Sequence, residues 1–422
     1  TKPAPAPITA LPIARFPALD PAAAEVEPHT LELRRTIHRN PELGERERET
    51  AALVEQELRE LGLEVKTGIA ATGVVGILRG GKPGGVVAWR ADMDALPIRE
   101  QTGLAFASTK TDTWEGKEVG VMHACGHDLH TSIALGIARI LAKDEIKAAL
   151  AGTVVFVFQP AEEGMPDEGS HGARRMVEEG LLRDPKPQAI LALHVDPKLD
   201  VGTVAAIPGG ALAASDRFEI GIVGKGSHGA YPQYAVDPIV TAAELVLALQ
   251  TIASRTVDPR ETVVVTVGQI AAGNRYNIIP DRADLIGTIR THDETVQKRV
   301  HERVRELATG IAEAHGARAE VMLRNYTPVT VNDAELFAEL RPVLVEVVGE
   351  QRVIADLPHM GAEDFAYYAR EIPGFYFFLG VGDPAVEVDA MTHTDRFVAD
   401  ERAIGIGLRV GAALILSALA SR

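Results

Sequence analysis

Val154-Val155-Phe156-Val157-Phe158-Gln159-Pro160-Ala161-Glu162-Glu163-Gly164 is an apolar run with no polar face that ends in a proline and two carboxylates. A strand apolar on both sides belongs between two layers of helices, as in an α/β sheet. Residues 74–78, 86–89 and 189–193 read the same way, and helical stretches such as 131–142 separate them. Two of these runs also end in polar residues, Trp89 leading into Arg90-Ala91-Asp92-Met93-Asp94 and Leu193 into His194. Open α/β sheets bind ligands at the carboxyl ends of their strands, so three ends delivering Asp, Glu and His predict one convergent site.

The chain's single cysteine lies in Val121-Met122-His123-Ala124-Cys125-Gly126-His127-Asp128-Leu129-His130, among three histidines and a carboxylate. Thiolate, imidazole and carboxylate are the side chains that hold transition metals. A lone buried cysteine is common as plain core, but its place between two histidines favours the metal reading. Asp92 and Asp94, two residues apart, reach the same side of an extended chain. Glu162 and Glu163 are adjacent, so an extended segment would point them opposite ways, one toward a metal and the other toward a proton. His194, His228 in Gly224-Lys225-Gly226-Ser227-His228-Gly229-Ala230, and His393 in Met391-Thr392-His393-Thr394-Asp395 each have a bland reading as core or surface histidines. Taken together they supply the number of ligands that two metal ions use.

Outward from the sheet, helical spacing predicts helices over 28–39 and 46–61, broken by Asn40-Pro41. Residues 217–323 form a separate order: strand 217–223, helix 237–254, strands 262–270 and 283–290, helix 294–315 and strand 317–323. That βαββαβ order is the ferredoxin-like split motif. The chain then returns to the first domain through a helix at 334–348, a strand at 375–379 and a terminal helix at 400–419. The expected organisation is a flexible Ala/Pro-rich leader (1–27), a first domain in two parts (28–210 and 326–422) and an inserted domain (211–325).

A chain of 422 residues exceeds what one core organises, and a net charge of -16 without a basic, aromatic-interleaved patch excludes a nucleic-acid footprint. The apolar run 410–420 is shorter than the ~20 residues of a spanning helix and reads as a packed terminal helix, so no membrane span is expected. One cysteine forbids an internal disulfide. The Ala/Pro-rich start is what signal-peptide removal leaves behind, a pattern that a trimmed chain shares; export is favoured over a cytoplasmic location.

Five stretches in order resemble the M20 metallopeptidase family: Trp89 to Ile98, His123 to Asp128, Phe158 to Gly164, Gly224 to Ala230, and Met360-Gly361-Ala362-Glu363-Asp364-Phe365. More narrowly the chain is similar to the family's amidohydrolase branch, which includes hippurate hydrolases, N-acyl-amino-acid amidohydrolases, carboxypeptidases and indole-acetyl-amino-acid hydrolases. The resemblance implies a two-metal α/β catalytic domain, a mixed sheet between helices, interrupted by a ferredoxin-like dimerisation or lid domain. It implies Cys125 as a bridging thiolate, His127, Glu163, His194 and His393 as the other ligands, and Glu162 as general base. It further implies that His228 acts in a partner subunit's site, that Asn277 and Arg290 bind the substrate carboxylate, and that the protein is a homodimer. The wider family begins with His-x-Asp where this chain has Asp92-Met93-Asp94, which leaves a ligand role for Asp92 open and gives Asp94 the task of orienting a ligand or the base.

The expected reaction is hydrolysis of the amide of an N-acyl amino acid, with a carboxypeptidase or dipeptidase acting on short peptides as the alternative. Two divalent ions per subunit are expected, zinc or manganese, with cobalt also suited. A cysteine-nucleophile hydrolase using Cys125 with His127 or His123 is a remote alternative that leaves the Glu pair, His194 and His393 without a task.

Overall fold

The computed structural model describes residues 13–165, 169–355, 358–383 and 391–422, which divide into two compact units. The first comprises the chain up to Gly209, Val331–Leu357 and Tyr367–Arg422; the second comprises Gly210–Thr330 and Pro358–Ala366.

The first unit is built on an eight-stranded mixed sheet. From edge to edge the strands are Glu64–Ile69, Gly73–Arg79, Ala151–Gln159, Lys82–Asp92, Ala189–Asp200, Gly374–Gly382, Val204–Ala205 and Val353–Ile354. The four central strands run parallel to one another, so their carboxyl ends share one edge of the sheet. Gly374–Gly382 is buried along its whole length, as a central strand covered on both faces must be. Leu19–Arg39, His127–Leu141 and Ala403–Ala420 pack against one another, the last two also touching the strand Lys82–Asp92. The terminal helix is long and apolar enough to cross a membrane, yet 83% of its window is buried within the protein, which makes it a core helix.

Several boundaries differ from the sequence reading, and one of them touches the site: the strand expected over 189–193 runs Ala189–Asp200, so His194 stands inside it and not at its end. The first helix starts at Leu19, not at Pro28, and Ile13, Leu19, Ala22, Ala23 and Val26 belong to the core, so residues 13–27 are not a flexible leader; residues 1–12 lie outside the described residues. Pro28 reads as a first-turn residue but stands inside the helix, where it removes one hydrogen-bond donor and its ring crowds the carbonyl of Ala24; the Ala22-Ala23-Ala24 run ahead of it has the highest helix propensity. The edge strand Glu64–Ile69 leaves no sequence signal, because it is mostly exposed and carries little apolar pattern.

The second unit has the order strand Ala214–Val223, helix Pro238–Thr251, strands Val263–Ala272 and Arg282–Thr291, helix Glu294–Ala314 and strand Arg318–Thr327. Its antiparallel sheet places Arg282–Thr291 and Ala214–Val223 in the centre, with Val263–Ala272 and Arg318–Thr327 at the edges. This is the ferredoxin-like arrangement expected from the element order. Phe218, Ile220 and Ile222 alternate inward and form one core with Leu245, Val300 and Val304 of the helices. The helix Pro238–Thr251 nevertheless leaves Val240 and Leu247 exposed, at 53% and 72%. The segment Pro358–Ala366, with its Met360 to Phe365 motif, groups here because Ala213 N–H donates to the His359 carbonyl at 3.0 Å, a long-range pairing with no local signal.

Candidate metal centre and its relatives

Gly126 begins the site. At φ 92° it turns the chain between Cys125 and the helix His127–Leu141, a conformation open chiefly to glycine. A Cβ there would stand 2.3 Å from Val195 Cγ2, so the turn also packs against the strand that carries His194. Asp128, in the helix's first turn, is clamped at 2.8 Å by both Arg34 Nε and His38 Nδ1. Burial opposes its charge, but Arg34 and His38 hold it well below the usual carboxylate range. The helix that presents His127 is thereby tied to Leu19–Arg39.

Donor atoms from four segments converge. Cys125 Sγ lies 3.4 Å from His194 Nε2 and 3.2 Å from His393 Nε2. His393 Nε2 is 3.1 Å from Glu163 Oε1, and His127 Nε2 is 3.9 Å from Glu163 Oε1 and 4.0 Å from Glu162 Oε2. Two donor groups, Cys125–His127–His194 and Cys125–Glu163–His393, share the thiol, the atoms within each lying inside 4.8 Å of one another. His127 Nε2 is buried with no hydrogen-bond partner among the described residues, while its Nδ1 faces Asp94 through the main-chain oxygen at 2.9 Å and Oδ1 at 3.1 Å. A histidine held from behind by a carboxylate, its other nitrogen buried and unpaired beside thiol and carboxylate, is the arrangement a metal ligand takes.

Electrostatics fit the same occupant. Burial and then the Glu163 and Glu162 carboxylates push the Cys125 thiol well up, so a neighbouring cation is what would make it a thiolate. Burial works to lower His127, yet Asp92, Asp94 and Glu163 outweigh it and raise the imidazole to about 10. A nucleophilic cysteine needs a lowered pKa, the opposite of what surrounds Cys125. His123, the other base considered for that mechanism, is buried with neither ring nitrogen hydrogen-bonded among the described residues, and burial pushes it down to about 3.

Asp92 and Asp94 divide. The Asp92 oxygens go to His130 Nδ1 at 2.6 Å and Arg90 NH1 at 2.5 Å, a buried ion-pair network, and Asp92, His127 and His130 also form a third donor group. His130 then accepts from Val195 N–H at 3.0 Å through Nε2, fixing the strand beside His194. That link was overlooked in the sequence, although His130 stands one helical turn beyond His127. Asp94 spans two elements, accepting from His127 Nδ1 and, through Oδ2, from Glu163 N–H at 3.0 Å.

Glu162 and Glu163 do not point opposite ways. Ala161 takes φ 48° and starts a turn, so both carboxylates come within 4.0 Å of His127 Nε2. The extended-segment expectation failed because a left-handed alanine leaves no mark in sequence.

His228, Asn277 and Arg290 lie in the second unit. The two-residue strand Ser227–His228 pairs with Ile278–Ile279, and Gly229 N–H donates to the Asn277 carbonyl at 2.8 Å, so His228 and Asn277 are neighbours. His228 is exposed, and its Nδ1 accepts from Ala230 N–H at 3.1 Å. The Asn277 Oδ1 is buried without a hydrogen-bond partner among the described residues. Arg290 is half-buried, paired in register with Ser215 and Val264, and burial lowers its pKa against the opposing pull of Asp216.

The signature of peptidase family M20/M25/M40 matches residues 88–417. The chain belongs to this family. Among its relatives, the IAA-amino acid hydrolase ILR1-like 2 of Arabidopsis thaliana is 39% identical over 94% of this chain and 86% of its own length. Thermostable carboxypeptidase 2 of Saccharolobus solfataricus is 37% identical over 93% of this chain and 96% of its own. A dinuclear metal-binding peptidase of family M20 from Bacillus subtilis superposes with a TM-score of 0.80 at 34% identity, covering 94% of this chain and all (100%) of that one. As an M20 member the chain is a metal-dependent hydrolase of amide or peptide bonds.

Proposed function

We propose that this M20 hydrolase cleaves the amide bond of N-acyl amino acids at a pair of divalent metal ions, releasing the free amino acid and a carboxylic acid. The observation that carries the reading is the convergence of Cys125, His127, Glu163, His194 and His393 beside Glu162. Cys125, common to both donor groups, would hold the ions together with His127, Glu163, His194 and His393. Thiolate and imidazole favour zinc on affinity, and the carboxylates also suit manganese or cobalt. When bound, such a pair supplies Lewis acidity that lowers the pKa of water toward ~7 and polarises the scissile carbonyl.

The remaining work falls to side chains. Glu162, next to the ligand Glu163 but assigned to no metal, takes the proton of the attacking water and returns it to the departing nitrogen. Asp94 keeps His127 Nδ1 and the Glu163 amide in place, so ligand and base share one anchor. His228 is proposed to act in the partner subunit's site, where its ring steadies the carbonyl oxygen as negative charge builds there. Asn277 and Arg290 are proposed to hold the substrate carboxylate, the planar guanidinium matching its two oxygens.

A homodimer follows from this reading, with a second copy covering the exposed apolar helix Pro238–Thr251 and the sheet edge Val263–Ala272. The carboxypeptidase reading is the runner-up, favoured by the likeness to thermostable carboxypeptidase 2. Both substrates carry a carboxylate next to the scissile amide, so the same residues serve either.

Free amino acid release from acetyl-, benzoyl- and long-acyl amino acids and from simple dipeptides, before and after chelation and reloading with Mn²⁺ or Zn²⁺, separates them. Chelator-sensitive turnover confined to N-acyl amino acids supports the proposal. Turnover of peptides alone transfers the assignment to carboxypeptidase or dipeptidase, and chelator-resistant turnover refutes both.

A further inference from the structure

Glu47 is fully buried, and among the described residues its carboxyl is partnered by Thr72 and the Ala161 amide and by no Lys, Arg or His. It stands immediately before the helix Arg48–Glu60, where its Oε2 meets Thr72 Oγ1 at 2.5 Å and its Oε1 accepts from Ala161 N–H at 2.9 Å. Ala161 is the left-handed residue that swings Glu162 and Glu163 to one side, so the direction of its amide fixes the direction of the turn.

The segment leading to Glu47 serves the same loops. The Glu42 carbonyl accepts from Ala95 N–H at 2.8 Å, directly after Asp94. The Glu42 carboxylate in turn caps the helix through Glu49 N–H at 3.0 Å and Thr50 N–H at 2.9 Å, which sets where Glu47 stands. Gly44 packs so closely that a Cβ would lie 3.0 Å from Ala161 Cβ. Residues 42–47 therefore hold the loop of Asp94 at one end and the turn of Glu162 and Glu163 at the other.

A carboxyl buried away from cations is a poor device for stability alone, since removal from water opposes its charge. We propose that Glu47 is a positioning residue for hydrolysis, its carboxyl gripping the Ala161 amide and so aiming Glu162 and Glu163 at the donor cluster. This rests on the roles assigned to those two glutamates above. Burial, with Asp94 nearby, pushes Glu47 up to about 8, so at neutral pH the group is largely the neutral acid. In that form it donates to Thr72 Oγ1 while still accepting from Ala161 N–H, a pattern that glutamine reproduces.

The test compares wild-type enzyme with E47A, E47D and E47Q, reading kcat and KM, bound metal, and amide hydrogen exchange of the peptide that contains Ala161. E47A is expected to speed exchange at that peptide and to lower kcat about 100-fold with little change in KM, as a misplaced base does. E47Q is expected to restore both protection and kcat. E47D, whose arm is too short to span Thr72 and Ala161, keeps the carboxyl as a second route should E47A not fold, and is expected to lose kcat like E47A. Wild-type exchange at Ala161 in E47A, wild-type kcat in E47D, or an E47Q as impaired as E47A overturns the proposal. Exchange is read without turnover, so a wild-type enzyme that cleaves no amide refutes the function and leaves the Ala161 grip to be judged separately.

Discussion

Replacing Asp94 perturbs metal binding without touching a proposed ligand. Its Oδ1 accepts from His127 Nδ1 at 3.1 Å and its Oδ2 from Glu163 N–H at 3.0 Å, so both oxygens are committed to donors. Asparagine can satisfy one of them and must turn an NH₂ toward the other. A lost charge-assisted hydrogen bond is worth about 1.5–3 kcal/mol, or roughly 10- to 150-fold in an equilibrium constant. The Asp94 main-chain oxygen still accepts from His127 Nδ1 at 2.9 Å, which preserves the ring's tautomer and keeps the effect of D94N at the low end. We expect metal dissociation constants about tenfold weaker for D94N and about 100-fold weaker for D94A, within the range for carboxylates behind histidine ligands. Competition against a chromophoric chelator measures both, and wild-type affinity in D94A would refute the idea that Asp94 organises ligand and base together.

Glu47 gives a pH prediction. Its folded-state pKa is raised from the ordinary 4.5 to about 8, so between those values the folded protein keeps a proton that the unfolded chain has lost. Its contribution to stability is therefore complete below about pH 4.5 and declines as pH rises through about 8, by up to ~1.4 kcal/mol per pH unit. Urea unfolding of the E47Q variant should show a flatter profile over that window, and an unchanged slope counts against the buried acid. G126A forces a side chain to φ 92° and within 2.3 Å of Val195 Cγ2, so a loss of about 1–3 kcal/mol should lower Tm and weaken metal binding together. Mixed dimers of H228A and E162Q subunits should recover part of the activity that each homodimer lacks, because one of the two mixed sites then has both residues; no recovery argues against action of His228 in the partner.

The central strands and the ferredoxin-like order were legible because their patterns are local: uninterrupted β-branched runs for strands covered twice, and alternation or helical spacing in the inserted unit. Cys125, His127, Glu163, His194 and His393 could be picked out because their chemistry is unusual, although of these only Glu163 follows the end of a strand, His194 standing inside Ala189–Asp200. What stayed hidden depends on distant partners or on backbone states that any residue can hide. Nothing near Asp92 in sequence shows that its two oxygens meet Arg90 and the distant His130. Glu47 sits among the charged residues of Glu45-Arg46-Glu47-Arg48-Glu49 and reads as solvated surface, yet it is buried under a turn more than a hundred positions away. The start of the first helix was obscured by Pro28, whose usual place in a first turn outweighed the alanines before it.

The proposed chemistry divides its labour between two adjacent glutamates, and metal content measured beside turnover in E162Q and E163A tests that division most directly. E162Q should retain two ions per subunit and lose hydrolysis, whereas E163A should lose metal. Loss of metal in E162Q with full occupancy in E163A would reverse the roles and contradict the site as described.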